Sequence, residues 1–337
     1  DLKYLASDYP YPLAKKSLES GSARLQASGN QEAITARLQL PSTKYQAEID
    51  ITGDVPKLTA TNLVLGRGGY KISPVVGHHA LIRTDKFNAD DWLSVVMEPV
   101  KPSDAVLSQM NTPTIPAPSR ITFESKELIF GGIPWNDVDF SARKNKQAWQ
   151  MEVSSQEIEG DINYLPPYDL TVSLDRLHLF VPEWSDKKNQ EQLLQRKEQE
   201  APLISELDRK IHDAMPNLKL TLNDFWLQGY KVGKVDVELA RQDDRIEWKK
   251  IQVRSGGNKA DVSGWWELKG DKSHSSLTVD IEGENNSELM ERFGITSGIQ
   301  KAPFELEGQL NWDGSPWGIK MDTLDGNVKT KFGKGII

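Results

Sequence analysis

Five histidines, His78, His79, His178, His212 and His274, are the residues most able to do chemistry in this sequence. His78 and His79 are adjacent, so on a strand they would point to opposite faces and could not ligate together. No H-E-x-x-H, no H-x-H and no histidine grouped with carboxylates at ligand spacing occurs. The pattern therefore offers no metal site, and the histidines read as exposed loop and strand-edge residues. There is no cysteine, which removes disulfides, a thiolate nucleophile and zinc-thiolate ligation. A hydrolase elbow, G-x-S-x-G, is absent. Gly66-Arg67-Gly68-Gly69 lacks both the Lys-Ser/Thr of a phosphate loop and the spacing of a dinucleotide fingerprint. It reads as a turn between Leu63-Val64-Leu65 and Tyr70-Lys71-Ile72. Carboxylates are plentiful and ten Trp would suit sugar stacking, so a carboxylate pair across a glycan cleft is conceivable chemistry. Asp50, Asp236, Asp280 and Glu307, however, fall on the polar side of alternating segments, where a solvated face accounts for them. An extracytoplasmic β-sandwich that binds or cleaves carbohydrate is thus the alternative reading. No catalytic residue, metal or cofactor is assigned.

The elements that would have to position any site are strands. Ile34–Leu40, Tyr45–Ile51, Leu218–Asn223, Val235–Leu239 and Leu277–Ile281 alternate apolar and polar residues, and Phe304-Glu305-Leu306-Glu307 opens another such run. Period-2 alternation marks antiparallel strands with one buried and one wet face. Turn residues such as Gly53-Asp54, Asp243-Asp244, Gly270-Asp271 and Asp313-Gly314 separate them, and roughly twenty strands fit the usual spacing of an all-β chain. The 337 residues carry 41 Lys+Arg against 49 Asp+Glu, a net charge of −8, which argues against a nucleic-acid partner. No run approaches the ~18 apolar residues of a membrane-spanning helix.

Helical signals are few. A Gln/Glu/Lys/Arg-rich stretch from Ser185 to Ala214 has a second half opening at Pro202, with Leu203, Leu207 and Ile211 on one stripe. Shorter signals start at Asn88 and at Ser287. Five of the 18 prolines lie between Pro99 and Pro118, which predicts an extended linker. With an offset of 97, Ile121, Phe123, Leu128, Phe130 and Gly132 fall on Leu218, Leu220, Phe225, Leu227 and Gly229, and Val138 and Phe140 on Val235 and Val237, an internal repeat. The expected organisation is an N-terminal β segment over 1–98 with a short helix near 88–97, a linker over 99–119, a β repeat over 120–183, a helical insertion over 184–216, and a second, truncated repeat over 217–337. The first residue is Asp1 and the last residues, Gly335-Ile336-Ile337, lie inside an apolar run, so the chain reads as a piece of a longer protein.

A sheet of this kind needs its apolar face covered, either by a second sheet or by lipid tails lying along a curled groove. The C-terminal third favours the second. Met215-Pro216-Asn217-Leu218-Lys219-Leu220, Val262-Ser263-Gly264-Trp265-Trp266, the Ser287–Gly294 helix, Leu310-Asn311-Trp312-Asp313-Gly314-Ser315-Pro316-Trp317 and Leu324-Asp325-Gly326 follow in an order that resembles the C-terminal region of the YhdP family, within the AsmA-like superfamily. That resemblance covers about residues 215–335. It implies a long curled antiparallel β-groove of repeating units, with few short helices and no catalytic residues. It further implies a periplasmic segment of a protein anchored in the inner membrane of Gram-negative bacteria, carrying phospholipid to the outer membrane and supporting its permeability barrier. Partners would be phospholipid acyl chains and, through other parts, the two membranes. The expected groove lining is Leu218, Leu220, Leu222, Val235, Val237, Leu239, Trp248, Leu277, Val279, Ile281, Phe304, Leu306, Leu310 and Trp312.

Overall fold

The structure, a computed structural model, describes residues 4, 6–7, 9–18, 20–67, 77–92, 117–180, 204–284 and 302–334. The chain divides into two compact units, Asp1–Glu159 and Gly160–Ile337.

The first unit holds β1 (Arg24–Gly29), β2 (Ala33–Gln39), β3 (Thr43–Asp50), β4 (Lys57–Gly66), β5 (Gly77–Asn88), β6 (Arg120–Phe130), β7 (Ile133–Asn145) and β8 (Ala148–Ser154). Each pairs with the next in chain order. A helical turn over 89–92 follows β5, with the Asn88 side chain accepting from the amides of Asp90 and Asp91 as the sequence expects. It lays Trp92 against Phe87, rings parallel with centroids 6.1 Å apart, over a core of Phe87, Phe123 and Val138. Asp90 closes this end by accepting from the amides of Gly131 and Gly132.

The second unit contains β10 (Asp169–Leu179), helix α1 (Glu206–Ala214), β11 (Asn217–Leu227), β12 (Tyr230–Gln242), β13 (Arg245–Ser255), β14 (Asn258–Lys269), β15 (Lys272–Gly283), β16 (Phe304–Asp313) and β17 (Asp325–Phe332). Here too each strand pairs with the next. β9 (Ile158–Leu165), all but two of whose residues belong to this unit, pairs with β10. Bulges interrupt the ladders β11–β12, β12–β13 and β13–β14, and each bends its strand. Gly233 sits in one of these at φ +100, where a Cβ would lie 2.1 Å from the Arg254 carbonyl oxygen.

The mostly-β class expected from the alternation forms, as seventeen strands among the described residues against the roughly twenty expected. Strand direction departs from expectation at three joints: β4–β5, β5–β6 and β10–β11 are parallel. Parallel neighbours need a long crossover, and in each case a long connection intervenes. β5 starts at Gly77 and runs parallel to β4, so these two strands are not a hairpin; the expected turn from Leu65 to Tyr70 falls largely outside the described residues. The Tyr70–Ile72 strand, most of the proline-rich linker, the first part of the 184–216 insertion, the Ser287–Gly294 helix and the final Gly335–Ile337 lie outside the described residues. α1 starts later than Pro202 suggests: Ser205 caps it, its hydroxyl accepting from the Asp208 amide while the Asp208 carboxylate accepts from the Ser205 amide.

The 97-residue offset is carried into the backbone. Both bounds of β11 lie 97 residues after those of β6, both bounds of β12 lie 97 after those of β7, and β13 starts 97 after β8. The cross-strand register repeats as well, Ile121 opposite Ala142 and Leu218 opposite Leu239. The turns follow suit: Gly131-Gly132 and Gln228-Gly229 both have positive φ at each residue, as a two-residue hairpin of this twist requires.

Candidate functional site

Residues directly opposite one another in a ladder share a face, so the registers of the second unit sort every side chain. Leu174, Leu222, Val235, Val253, Ala260, Ile281 and Leu306 form one row across β10–β16. Beside it run Val172, Leu220, Val237, Ile251, Val262, Val279, Gly308 and Val328, and then Leu170, Leu218, Leu239, Trp248, Gly264, Leu277, Leu310 and Gly326. Phe304 and Trp312 belong to the same face through the alternation of β16. The register thus brings all fourteen residues proposed from sequence onto one continuous face.

How deeply they are buried matters more than their type. Leu222, Phe304 and Trp312 are buried, whereas the other eleven remain partly exposed. A sandwich core would bury such residues almost completely. Among the described residues, one border of the face is covered by a helix. There Ile211 of α1 and its C-cap Met215 pack, as does Trp248, against a cluster of Ile204, Ile246, Trp266 and Leu268. Tryptophan N–H groups anchor this border: Trp266 donates to Ser273 Oγ (2.9 Å), Trp312 to the Ser315 carbonyl (2.9 Å) and Trp317 to Asp208 Oδ1 (2.7 Å). His212 is not the exposed histidine the sequence suggests; it is 2% exposed, edge-on to Trp266, and its Nε2 donates to the Asp244 carbonyl (3.1 Å). Burial, then the nearby Arg241 charge, holds its pKa below the ordinary 6.5.

The opposite face is mostly polar. Asp236, Asp280 and Glu307 stand on it with Asp261, whose carboxylate is held below its ordinary pKa first by Lys259 and, against some desolvation, by Arg254. Arg245 pairs with Glu267 (2.8 Å) and lies over Trp265, 4.2 Å from the ring centre. Exposed pairs of this kind are worth ~0–1 kcal/mol each. Their effect is to keep this face hydrated.

The residues that sequence reasoning missed complete the rows: Leu170, Val172 and Leu174 on β10, and Ile251, Val253, Ala260, Val262 and Val328. Leu170-Thr171-Val172-Ser173-Leu174 alternates as cleanly as any strand and was readable. The bulge between Trp248 and Ile251 shifts the phase of β13, which hides that strand's membership. The first unit carries the same device, with Leu38, Tyr45, Leu63, Ala80, Ile121, Ala142 and Met151 in one row from β2 to β8.

Among the described residues no group of three His, Asp or Glu is placed to hold a metal ion, and no helix is long and apolar enough to cross a membrane. What the geometry offers is therefore an extended, non-directional apolar surface. Each CH₂ group moved onto it from water gains up to ~0.8 kcal/mol, with no contact fixing where along the face that group must lie.

The fold and this face define a class: repeat-built β proteins that expose one uninterrupted apolar face. The particular family is given by comparison, since the family model described as "YhdP protein" matches residues 1–337, and the chain belongs to that family. It is similar to the Intermembrane phospholipid transporter YhdP of Escherichia coli (strain K12), with 20% identity over 338 residues, covering 100% of this chain and 25% of that protein. The chain thus spans about a quarter of the length of that relative. No solved structure matches it.

Proposed function

We propose that the chain is a non-enzymatic segment of an inter-membrane phospholipid conduit, in which acyl chains lie along the apolar rows while headgroups stay toward water. The carrying observation is the half-exposed apolar face that stays in register from β10 to β17. The family assignment and the printed function of the E. coli relative support the lipid as occupant. On this reading Leu218, Leu220, Val235, Val237, Leu239, Trp248, Leu277, Val279, Ile281, Leu306 and Leu310 touch lipid. Leu222, Phe304 and Trp312 form the packed floor and border that hold the strands in place. The segment works in the periplasm, passes lipid from inner to outer membrane and supports the outer-membrane permeability barrier, with membrane attachment supplied by other parts of the protein.

The test places a photo-crosslinking residue at Val237 or Leu306 in the full-length protein in cells, with Asp236 and Glu307 as neighbours on the other face. Phospholipid captured at the first two positions and not at the second two is the expected result. Equal capture on both faces, or none at either, overturns the proposal.

A further inference from the structure

On the polar face of the first unit a row of basic side chains stands without a carboxylate beside it. The ladders place Arg120 directly opposite Arg143, and His79 directly opposite Arg120 on the other side, so the three stand side by side on neighbouring strands β5, β6 and β7. Asn62 and Gln150 extend the same row at either end. Directly opposed side chains on an antiparallel pair have Cβ atoms only ~4.5–5.5 Å apart, and like charges there are unfavourable. A comparable row in the second unit, Lys234, Arg254 and Lys259, reaches the carboxylates of Asp236 and Asp261, and in the first unit Arg83 is held to Glu124 by two bonds of 2.6 Å. Arg120 and Arg143 are exposed and make no ion pair or side-chain hydrogen bond among the described residues. Glu152, diagonal to Arg143 on β8, forms no ion pair with it, and Glu124 is taken by Arg83. His79 is only half-buried, and burial, followed by the charges of Arg120 and His78, makes it harder to protonate.

The internal repeat supplies the control. At the matching positions 97 residues on, Arg120 becomes Asn217 and Arg143 becomes Ala240, and the β10 residue opposite Asn217 is Asp169, whose carboxylate accepts from Asn217 Nδ2 (2.9 Å). Gln150 likewise becomes Glu247. The same strands with the same register thus form without any cation in this row. The fold itself therefore does not call for the arginines at these positions.

We propose that Arg120, Arg143 and His79 form a binding site for a phosphate-type oxyanion on the polar face of the first unit. Two guanidinium groups on adjacent strands can each donate in parallel to a compact tetrahedral anion, a geometry that suits phosphate. The imidazole of His79 donates a third bond, and Asn62 and Gln150 add neutral donors at the flanks. Such an anion arrives either as free phosphate or as the headgroup of a lipid. The site lies on the face opposite the apolar rows and stands whether or not acyl chains occupy them.

The test titrates the whole chain with inorganic phosphate against chloride at constant ionic strength, following the imidazole NMR signals of His79, assigned with a His79→Gln variant. A saturable shift of His79, with the His274 signals unmoved, is expected. Arg120→Asn combined with Arg143→Ala, substitutions the second repeat already accommodates, should weaken the binding at least about tenfold while leaving the unfolding midpoint equal or higher. Arg120→Lys with Arg143→Lys should retain part of it. Flotation with phosphatidylglycerol vesicles separates the sources. Vesicle binding lost in the double variant identifies a headgroup, and a phosphate response without vesicle binding identifies a small soluble anion. A His79 signal that does not move, or that titrates alike in wild type and in the Asn/Ala variant, overturns the proposal.

Discussion

At the residue scale the most informative side chain is His212, because its type suggests water and its position denies it. The amphipathic period of α1 was readable from Ile211 and its neighbours, but the buried stripe also takes in Asp208 and His212, at 7% and 2% exposure. Hydropathy cannot register this, since each polar group is satisfied by a partner distant in sequence: Asp208 by the Trp317 N–H, His212 by the Asp244 carbonyl. A consequence for pH follows from the sign of the shift. His212 is held below 6.5 in the folded chain, so the unfolded chain binds the extra proton first. The stability it contributes is complete above about 6.5 and is lost as pH falls through that value toward the lower folded pKa. His79 acts in the same direction. Carboxylates held low, such as Asp208 and Asp261, keep their contribution until below about pH 4. The denaturation midpoint of the second unit should therefore decline between pH 7 and 5, and His212→Gln, which keeps a donor for the Asp244 carbonyl, should flatten that decline. An unchanged slope would show that His212 titrates alike in both states.

At the scale of elements, alternation identified β2, β3, β11, β12, β15 and β16 because each has one wet face, and the turn residues set their ends. It could not give strand direction. Period 2 is the same whichever way a strand runs, so the parallel joints at β4–β5, β5–β6 and β10–β11 were invisible in the pattern. Their signal was the length of the connections, which the sequence offered as a linker and an insertion. The fourteen apolar positions were legible for the same reason that their exposure was not: alternation says which residues share a face, and only the structure says whether anything lies over it. α1 matters here as the border of that face. Its start depends on the reciprocal Ser205–Asp208 bonds, so Ser205→Ala should cost ~0.5–2 kcal/mol, read from chemical denaturation of the chain. Because α1 packs on Trp266 and Ile246, near-ultraviolet circular dichroism of the tryptophans should weaken along with stability. A loss of stability with an unaltered tryptophan signal would mean that the helix and the border of the face are uncoupled.

For the molecule as a whole, the low apolar content of 37% follows from strands that send every second residue to water. The apolar residues are not scattered over the surface; they are gathered in rows, and a single charge in a row interrupts them all. Leu220 lies within one such row, flanked by Val172 and Val237. An aspartate there has no cation opposite it, and its desolvation beneath an acyl chain would cost several kcal/mol. Leu220→Asp in the full-length protein should abolish support of the outer-membrane barrier at normal protein levels, scored as sensitivity to detergent and to large antibiotics. Thr221→Asp, one residue away on the wet face, should leave the barrier intact. Full barrier function with Leu220→Asp would remove the apolar row from the transport path.

The 97-residue offset has a consequence for inheritance. From the start of β6 to the start of β11 the chain makes five strands. Because strand bounds, cross-strand register and hairpin turns all recur at that interval, a gene that duplicates or deletes this stretch in frame returns the next strand to a partner it already fits. A sheet of this kind can then lengthen or shorten by whole cassettes, without any single strand having to learn a new neighbour.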